Sequence, residues 1–118
     1  MATIKVYEYK KCGSCLKAKK FLNESGIEVD FIPIEESAPS RKELKKMLSF
    51  YEGNLKKLFN TSGKLYREFK IKDKIGAMSE DEALDLLAAH GMLVKRPFLL
   101  TKDLGLVGFK ADQWAQLL

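Results

Sequence analysis

Cys12-Gly13-Ser14-Cys15 stands at the junction of two hydrophobic patterns of different period, and that junction constrains the chain more than any other segment. From Thr3 to Tyr9 the residues alternate, with Ile4 and Val6 on one face and Lys5 opposite, as in a strand. From about Gly13 to Ser25 the positions Cys15, Ala18 and Leu22 share one helical face, with Phe21 beside them. Gly26 is placed to stop this helix in a left-handed conformation. Ile27, Val29 and Phe31 then alternate with Glu28 and Asp30, which predicts a second strand with Pro33 near its end. Strand, helix and strand in roughly thirty residues form a βαβ unit, so the two strands are expected to run parallel.

The same junction carries chemistry. Cys12 falls at the lip of the helix and Cys15 about one turn inside it. Helix N-termini present free N–H groups and a partial positive charge, which stabilise a sulfur there as thiolate. Lys10 and Lys11 are expected to favour the anion further. A thiolate attacks oxidised substrates, and a second cysteine at this spacing can attack the adduct. Cys-x-x-Cys is also half of a structural zinc site, but such a site needs four ligands. The chain offers two cysteines and one distant histidine, His90, so no metal is expected. A purely structural disulfide would close too small a loop to stabilise the fold much. Redox chemistry is the favoured reading.

With 118 residues the chain is expected to form one domain, 1–118, with a conventional core. No apolar run is long enough to span a membrane, so no membrane association is expected. Met1-Ala2-Thr3-Ile4-Lys5 lacks signal-peptide features, so a cytoplasmic location is the expectation. In a reducing compartment a Cys-x-x-Cys is more often catalytic or sensing than structural. The formal net charge of +5 suits anionic substrates or acidic protein partners. The lysines are spread over Lys10-Lys11, Lys19-Lys20, Lys45-Lys46, Lys56-Lys57 and the stretch Lys70 to Lys74, with no nucleic-acid motif. They read as solvated helix faces, and direct nucleic-acid binding is not expected.

The middle of the chain reads as helical. Ser40 with Glu43 and Ser79 with Glu82 are candidate capping boxes, the first followed by Leu44, Met47 and Leu48, the second by Ala83, Leu84, Leu87 and Ala88 up to Gly91. Between them come a short helix at Leu55 to Phe59 after Gly53, a turn at 60–63, and another helical piece around Leu65, Tyr66 and Phe69. Pro97 to Leu100 reads as a short strand, Lys102 to Gly105 as a turn, and Leu106 to Phe109 as its hairpin partner. A terminal helix from about Ala111 would carry Trp114, Leu117 and Leu118. The predicted class is α/β: a thioredoxin-like fold with a mixed sheet, βαβ then ββα, and a helical insertion at about 38–92. Tyr7, Tyr9 and Tyr66 read as packing residues, Met47, Met78 and Met92 as core filler, and His90 as a capping or surface residue.

The chain resembles the ArsC/Spx family of small thioredoxin-fold proteins. The residues that carry this are Cys12-Gly13-Ser14-Cys15, the run Leu58 to Gly63 with Tyr66-Arg67-Glu68, Arg96-Pro97, and Val107-Gly108-Phe109-Lys110. The family includes glutathione- and glutaredoxin-linked arsenate reductases, related thiol reductases, and redox-controlled regulators that bind RNA polymerase. The resemblance implies that Pro97 is cis and faces the active cysteine, and that Arg96 and Pro97 form the substrate-binding part of the site. Arg96 offers a planar, permanently charged fork suited to an oxyanion, a carboxylate or a developing thiolate. Read without the family, it is equally well a surface arginine before a strand. The implied function is an arsenate reductase-like thiol–disulfide oxidoreductase. Its nucleophile would be Cys12, with Cys15 or glutathione as resolving thiol. The substrate would be an oxyanion or a disulfide, and glutathione or a thioredoxin or glutaredoxin would donate thiols, with no bound cofactor. The alternative is an Spx-like regulator binding the RNA polymerase α subunit, and Gly53 falls near a family position used for that contact. Arsenate reductases of this family add two further arginines, where Asn60 and Lys110 stand here.

Overall fold

Val6 and Tyr7, successive residues of one strand, are both buried, so that strand must be covered on both faces. It is β1 (Lys5–Glu8), an inner strand of a four-stranded sheet in the computed structural model, which describes residues 4–118. Thr3, the expected start of this strand, lies outside the described residues. The chain continues through α1 (Gly13–Glu24) into β2 (Asp30–Pro33), which pairs parallel to β1 from Lys5↔Asp30 to Glu8↔Pro33. The second strand thus begins later than its alternation suggests. Gly26 adopts the expected left-handed φ of 68°, and the Ile27 N–H returns to the Leu22 carbonyl at 3.2 Å. Residues 27–29 are therefore spent leaving the helix, although Ile27 and Val29 still pack on the core beneath it.

Four helices follow before the next strand: α2 (Arg41–Phe50), α3 (Lys64–Glu68), α4 (Ile71–Lys74) and α5 (Glu80–Ala89). A 3-10 turn at Leu55–Leu58 matches the expected short helix, and others lie at Ile75–Ala77 and Gly91–Leu93. Helix α4 and the turn after it were not legible in the sequence. Lys70, with φ 53°, breaks the chain out of α3 and restarts it, at a residue with no glycine or proline to mark the change. Ser40 and Glu43 make the complete reciprocal capping box. At α5 only half of it forms. The Ser79 hydroxyl accepts the Glu82 N–H at 3.1 Å, but the Glu82 carboxylate meets that same hydroxyl instead of the Ser79 backbone.

The chain closes with β3 (Phe98–Leu100), β4 (Gly105–Val107) and α6 (Ala111–Trp114), which runs into a 3-10 turn at Ala115–Leu117. The sheet order is β2-β1-β3-β4, with β3 antiparallel to both β1 and β4. This is the thioredoxin-like α/β arrangement, βαβ then ββα. Alternation along the strands divides the core in two. Val6, Leu99 and Leu106 meet Ala18, Leu22 and Trp114 on one face. On the other, Tyr7, Phe98 and Leu100 meet Leu44, Met47, Leu84 and Leu87. Contrary to the expected terminal helix, Leu118 is outside it and 75% exposed, since Trp114 already fills the space under the sheet. No helix among the described residues is long and apolar enough to cross a membrane. The complete capping box gives the first expectation: Ser40→Ala should lower the unfolding free energy by about 1 kcal/mol in urea titration, with an unchanged m-value.

Candidate active site

Beyond β1 the backbone turns sharply, and the Tyr9 carbonyl accepts the Cys12 N–H at 3.0 Å. Cys12 is the N-cap of α1, in extended conformation, and its carbonyl accepts the Leu16 N–H at 3.1 Å. No side chain caps this helix and its first turn holds no acidic residue. The unpaired N–H groups therefore remain for the sulfur at the cap or for a ligand beside it. Cys15 lies on the inward face with Ala18 and Leu22 and is 3% exposed, whereas Cys12 is half-buried.

The two thiols are pushed in opposite directions. Burial alone would raise the pKa of Cys12, but it is outweighed. The adjacent Cys15 thiol and N–H and the Arg96 guanidinium, with its positive charge, favour the anion, so Cys12 lies below the ordinary thiol value. Cys15 is pushed up to about 12, first by its burial and then by bonding to a neighbour that holds negative charge. The groups that acidify Cys12 are thus Cys15 and Arg96, not Lys10 and Lys11, which are exposed on the turn.

Arg96 is held at the entrance to β3. One terminal nitrogen donates to the Met92 carbonyl at 3.1 Å and approaches the Met92 sulfur at 3.6 Å. The guanidinium carbon lies 5.3 Å from the centre of the Tyr9 ring, a cation–π contact. The Nε is buried with no hydrogen-bond partner. The Arg96–Pro97 peptide is cis, as the family resemblance implied, and the Pro97 carbonyl accepts the Gly108 N–H at 2.9 Å. Cys12, Cys15 and Arg96 are therefore brought together, with Pro97 fixing the strand start next to Arg96.

Tyr9 and Met92, expected to be packing residues, seat the arginine. Only the adjacency of Tyr9 to the cysteine motif could have hinted at this. Asn60 serves a turn, its carbonyl accepting the Gly63 N–H at 3.0 Å, while Lys110 is exposed at the N-cap of α6. Tyr7 donates to Glu43 at 2.7 Å, and burial together with that carboxylate raises its pKa strongly, so it stays neutral and structural. His90 ends α5 with its ring edge against Phe69, centroids 5.1 Å apart. Among the described residues no group of three or more His, Cys, Asp or Glu is placed to hold a metal ion.

The model of the ArsC family matches residues 7–117. An uncharacterised Bacillus subtilis protein, YusI, is 51% identical over 110 residues, 93% of each chain. A solved Streptococcus mutans structure, titled a possible arsenate reductase, superposes with a TM-score of 0.88 at 38% identity, covering 94% of each chain. The global transcriptional regulator Spx of Streptococcus mutans is 28% identical over 102 residues, 86% of this chain and 73% of that protein. The match extends from Tyr7 to Leu117, through the cysteine motif, the helices between β2 and β3, and the Arg96–Pro97 junction; the chain belongs to the ArsC family.

Proposed function

We propose that this chain is an arsenate reductase-like thiol–disulfide oxidoreductase in which Cys12 is the nucleophile and Cys15 the resolving thiol. One observation carries the reading: two thiols within one helical turn are driven apart in acidity, with the acidic one at the helix cap beside Arg96. The Cys12 thiolate attacks one sulfur of a substrate disulfide. The substrate S–S bond breaks, a mixed disulfide forms on Cys12, and the first substrate thiolate leaves. Arg96, through its unpartnered Nε–H and its charge, stabilises negative charge at the entering and leaving sulfurs. Cys15 then gives up its proton to solvent or to the departing thiolate and attacks the Cys12 sulfur. A second substrate thiolate leaves, and a Cys12–Cys15 disulfide holds the two-electron oxidation until glutathione, a glutaredoxin or a thioredoxin reduces it. Asn60 and Lys110 replace the two further arginines of arsenate reductases, and neither supplies a bidentate fork. This favours a disulfide over arsenate as the substrate.

A second reading rests on a separate observation. Relatives at 28% identity are named global transcriptional regulators, and Gly53 sits exposed in the turn after α2 with open space around it. In that reading the Cys12–Cys15 disulfide switches binding to the RNA polymerase α subunit. Catalytic cycling with glutathione or thioredoxin supports the enzyme. Stoichiometric oxidation without turnover, together with tight binding of the α subunit, supports the regulator.

Three outcomes are expected. Alkylation of Cys12 by iodoacetamide should rise with pH to a midpoint below that of an ordinary thiol, because the thiolate is the reacting form. Cys15, pushed up to about 12, should stay unlabelled at neutral pH. Cys12 reacting no faster than free glutathione at pH 7 would remove it as nucleophile. With oxidised glutathione, Cys15→Ser should accumulate a mixed disulfide on Cys12, whereas the wild type should show an internal disulfide by mass spectrometry. Stable glutathionylation of the wild type would assign resolution to an external thiol. Arg96→Lys should lose about 1.5 to 3 kcal/mol of transition-state stabilisation, or roughly one to two powers of ten in kcat/KM, with an unchanged melting temperature. A lowered melting temperature with activity intact would make the arginine structural.

A further inference from the structure

Four of the lysines that look dispersed along the sequence come together in the fold. A cavity of about 480 Å³ opens at Ser14, the residue between Gly13 and Cys15, and four lysines line it. Lys56 and Lys57 come from the 3-10 turn after α2, Lys95 immediately precedes Arg96, and Lys110 caps α6. No aspartate or glutamate lines the cavity, and none of these four lysines takes part in the ion pairs found among the described residues. Four like charges gathered round one hollow without a counter-charge repel one another, and an anion relieves that repulsion.

The walls are shaped for such a guest. Gly108 has φ 74°, and a Cβ built there would stand 3.2 Å from Lys95 Cε, so the glycine gives that side chain its room. The Tyr51 hydroxyl accepts the Val107 N–H at 3.0 Å, which leaves its own hydrogen to donate into the cavity it lines. The volume is that of a small-molecule site. Its charges are all ammonium groups, with no arginine among the lining residues. Lysine binds phosphate as a point charge, and a phosphate monoester brings more negative charge to such a cluster than a single carboxylate does. A glutathionyl group would bring a single net negative charge against four lysines.

We propose that this cavity binds the phosphate-bearing part of a low-molecular-weight thiol, whose disulfide sulfur then reaches Cys12 across Ser14. The proposal names the substrate class for the thiol–disulfide reaction above and rests on that reading. Its chemistry is unchanged: Cys12 and Cys15 give up two electrons and two protons and form a disulfide, while the substrate S–S bond breaks and two phosphate-bearing thiols leave.

Two measurements separate the cavity from the redox chemistry. In the first, adenosine 3′,5′-bisphosphate is titrated calorimetrically into the reduced protein, with adenosine as neutral control. Binding should be at least about tenfold tighter for the bisphosphate, should weaken by a similar factor on raising the salt, and should weaken again in Lys57→Gln and Lys110→Gln. In the second, oxidation of Cys12 is timed with coenzyme A disulfide and with pantethine, which keeps the sulfur chemistry but has no phosphate. Coenzyme A disulfide should react at least about tenfold faster at low salt, and the ratio should collapse towards one in Lys57→Gln/Lys110→Gln. Equal rates for the two disulfides, with no selective binding of the bisphosphate, would overturn the phosphate subsite while leaving the oxidoreductase intact. Selective, lysine-dependent binding with no oxidation of Cys12 by either disulfide would keep the anion site and overturn its use in disulfide exchange. Binding insensitive to both lysine variants would overturn the assignment to this cavity.

Discussion

The turn between β1 and α1 is the constraint on which the site depends. One backbone hydrogen bond, from Cys12 N–H to the Tyr9 carbonyl, closes the four-residue turn between the end of the strand at Glu8 and the start of the helix at Gly13. It places Cys12 on the cap, where N–H groups lack partners, and sends Cys15 inward to the core formed with Ala18 and Leu22. Position in the helix therefore makes two chemically identical residues different. The outer sulfur is stabilised as an anion and the inner one is kept protonated by the same packing that holds α1 on the sheet. Loss of that packing would erase the difference as well as the fold.

The second half of the chain supplies the positive charge at that cap. β3 lies beside β1 in the sheet, so the residues entering β3 necessarily arrive near those leaving β1. Arg96 stands at this entrance and is fixed by groups from both sides, the Met92 carbonyl behind it and the Tyr9 ring beneath it. Tyr9 thus serves both halves, its carbonyl orienting the cysteine and its ring seating the arginine. The Nε of this restrained side chain is buried and has no hydrogen-bond partner.

Much of this could be read from the residues because the informative signals are local. The change from a period of two to one of 3.6 at Cys12 locates the strand and helix, and Ser40 with Glu43 marks α2 correctly. The errors occur where local preference is overruled. Ile27 and Val29 alternate like a strand but are spent on the exit from α1, and Lys70 takes a left-handed conformation that no sequence rule assigns to lysine. The cysteine pair was legible for the same local reason, whereas the source of its acidity was not. Lys10 and Lys11 are neighbours in sequence, but the charge that matters comes from Arg96, brought there by strand pairing.

The division of cations in the fold follows from this topology. The three arginines are Arg41, Arg67 and Arg96. Arg41 ties α2 to α5 through Asp81 and Asp85, and Arg67 donates to the Ser62 carbonyl at 3.2 Å. That leaves Arg96 as the one fork beside the cysteine pair. The mobile, strongly hydrated ammonium groups of Lys56, Lys57, Lys95 and Lys110 gather one step away, along the wall that begins at Ser14. A planar donor suits a charge that develops at a fixed atom, and flexible ammonium groups suit anions whose positions vary. For the thiol exchange proposed above, the arrangement would separate two tasks: stabilising the sulfur that reacts and holding the part of the molecule that does not.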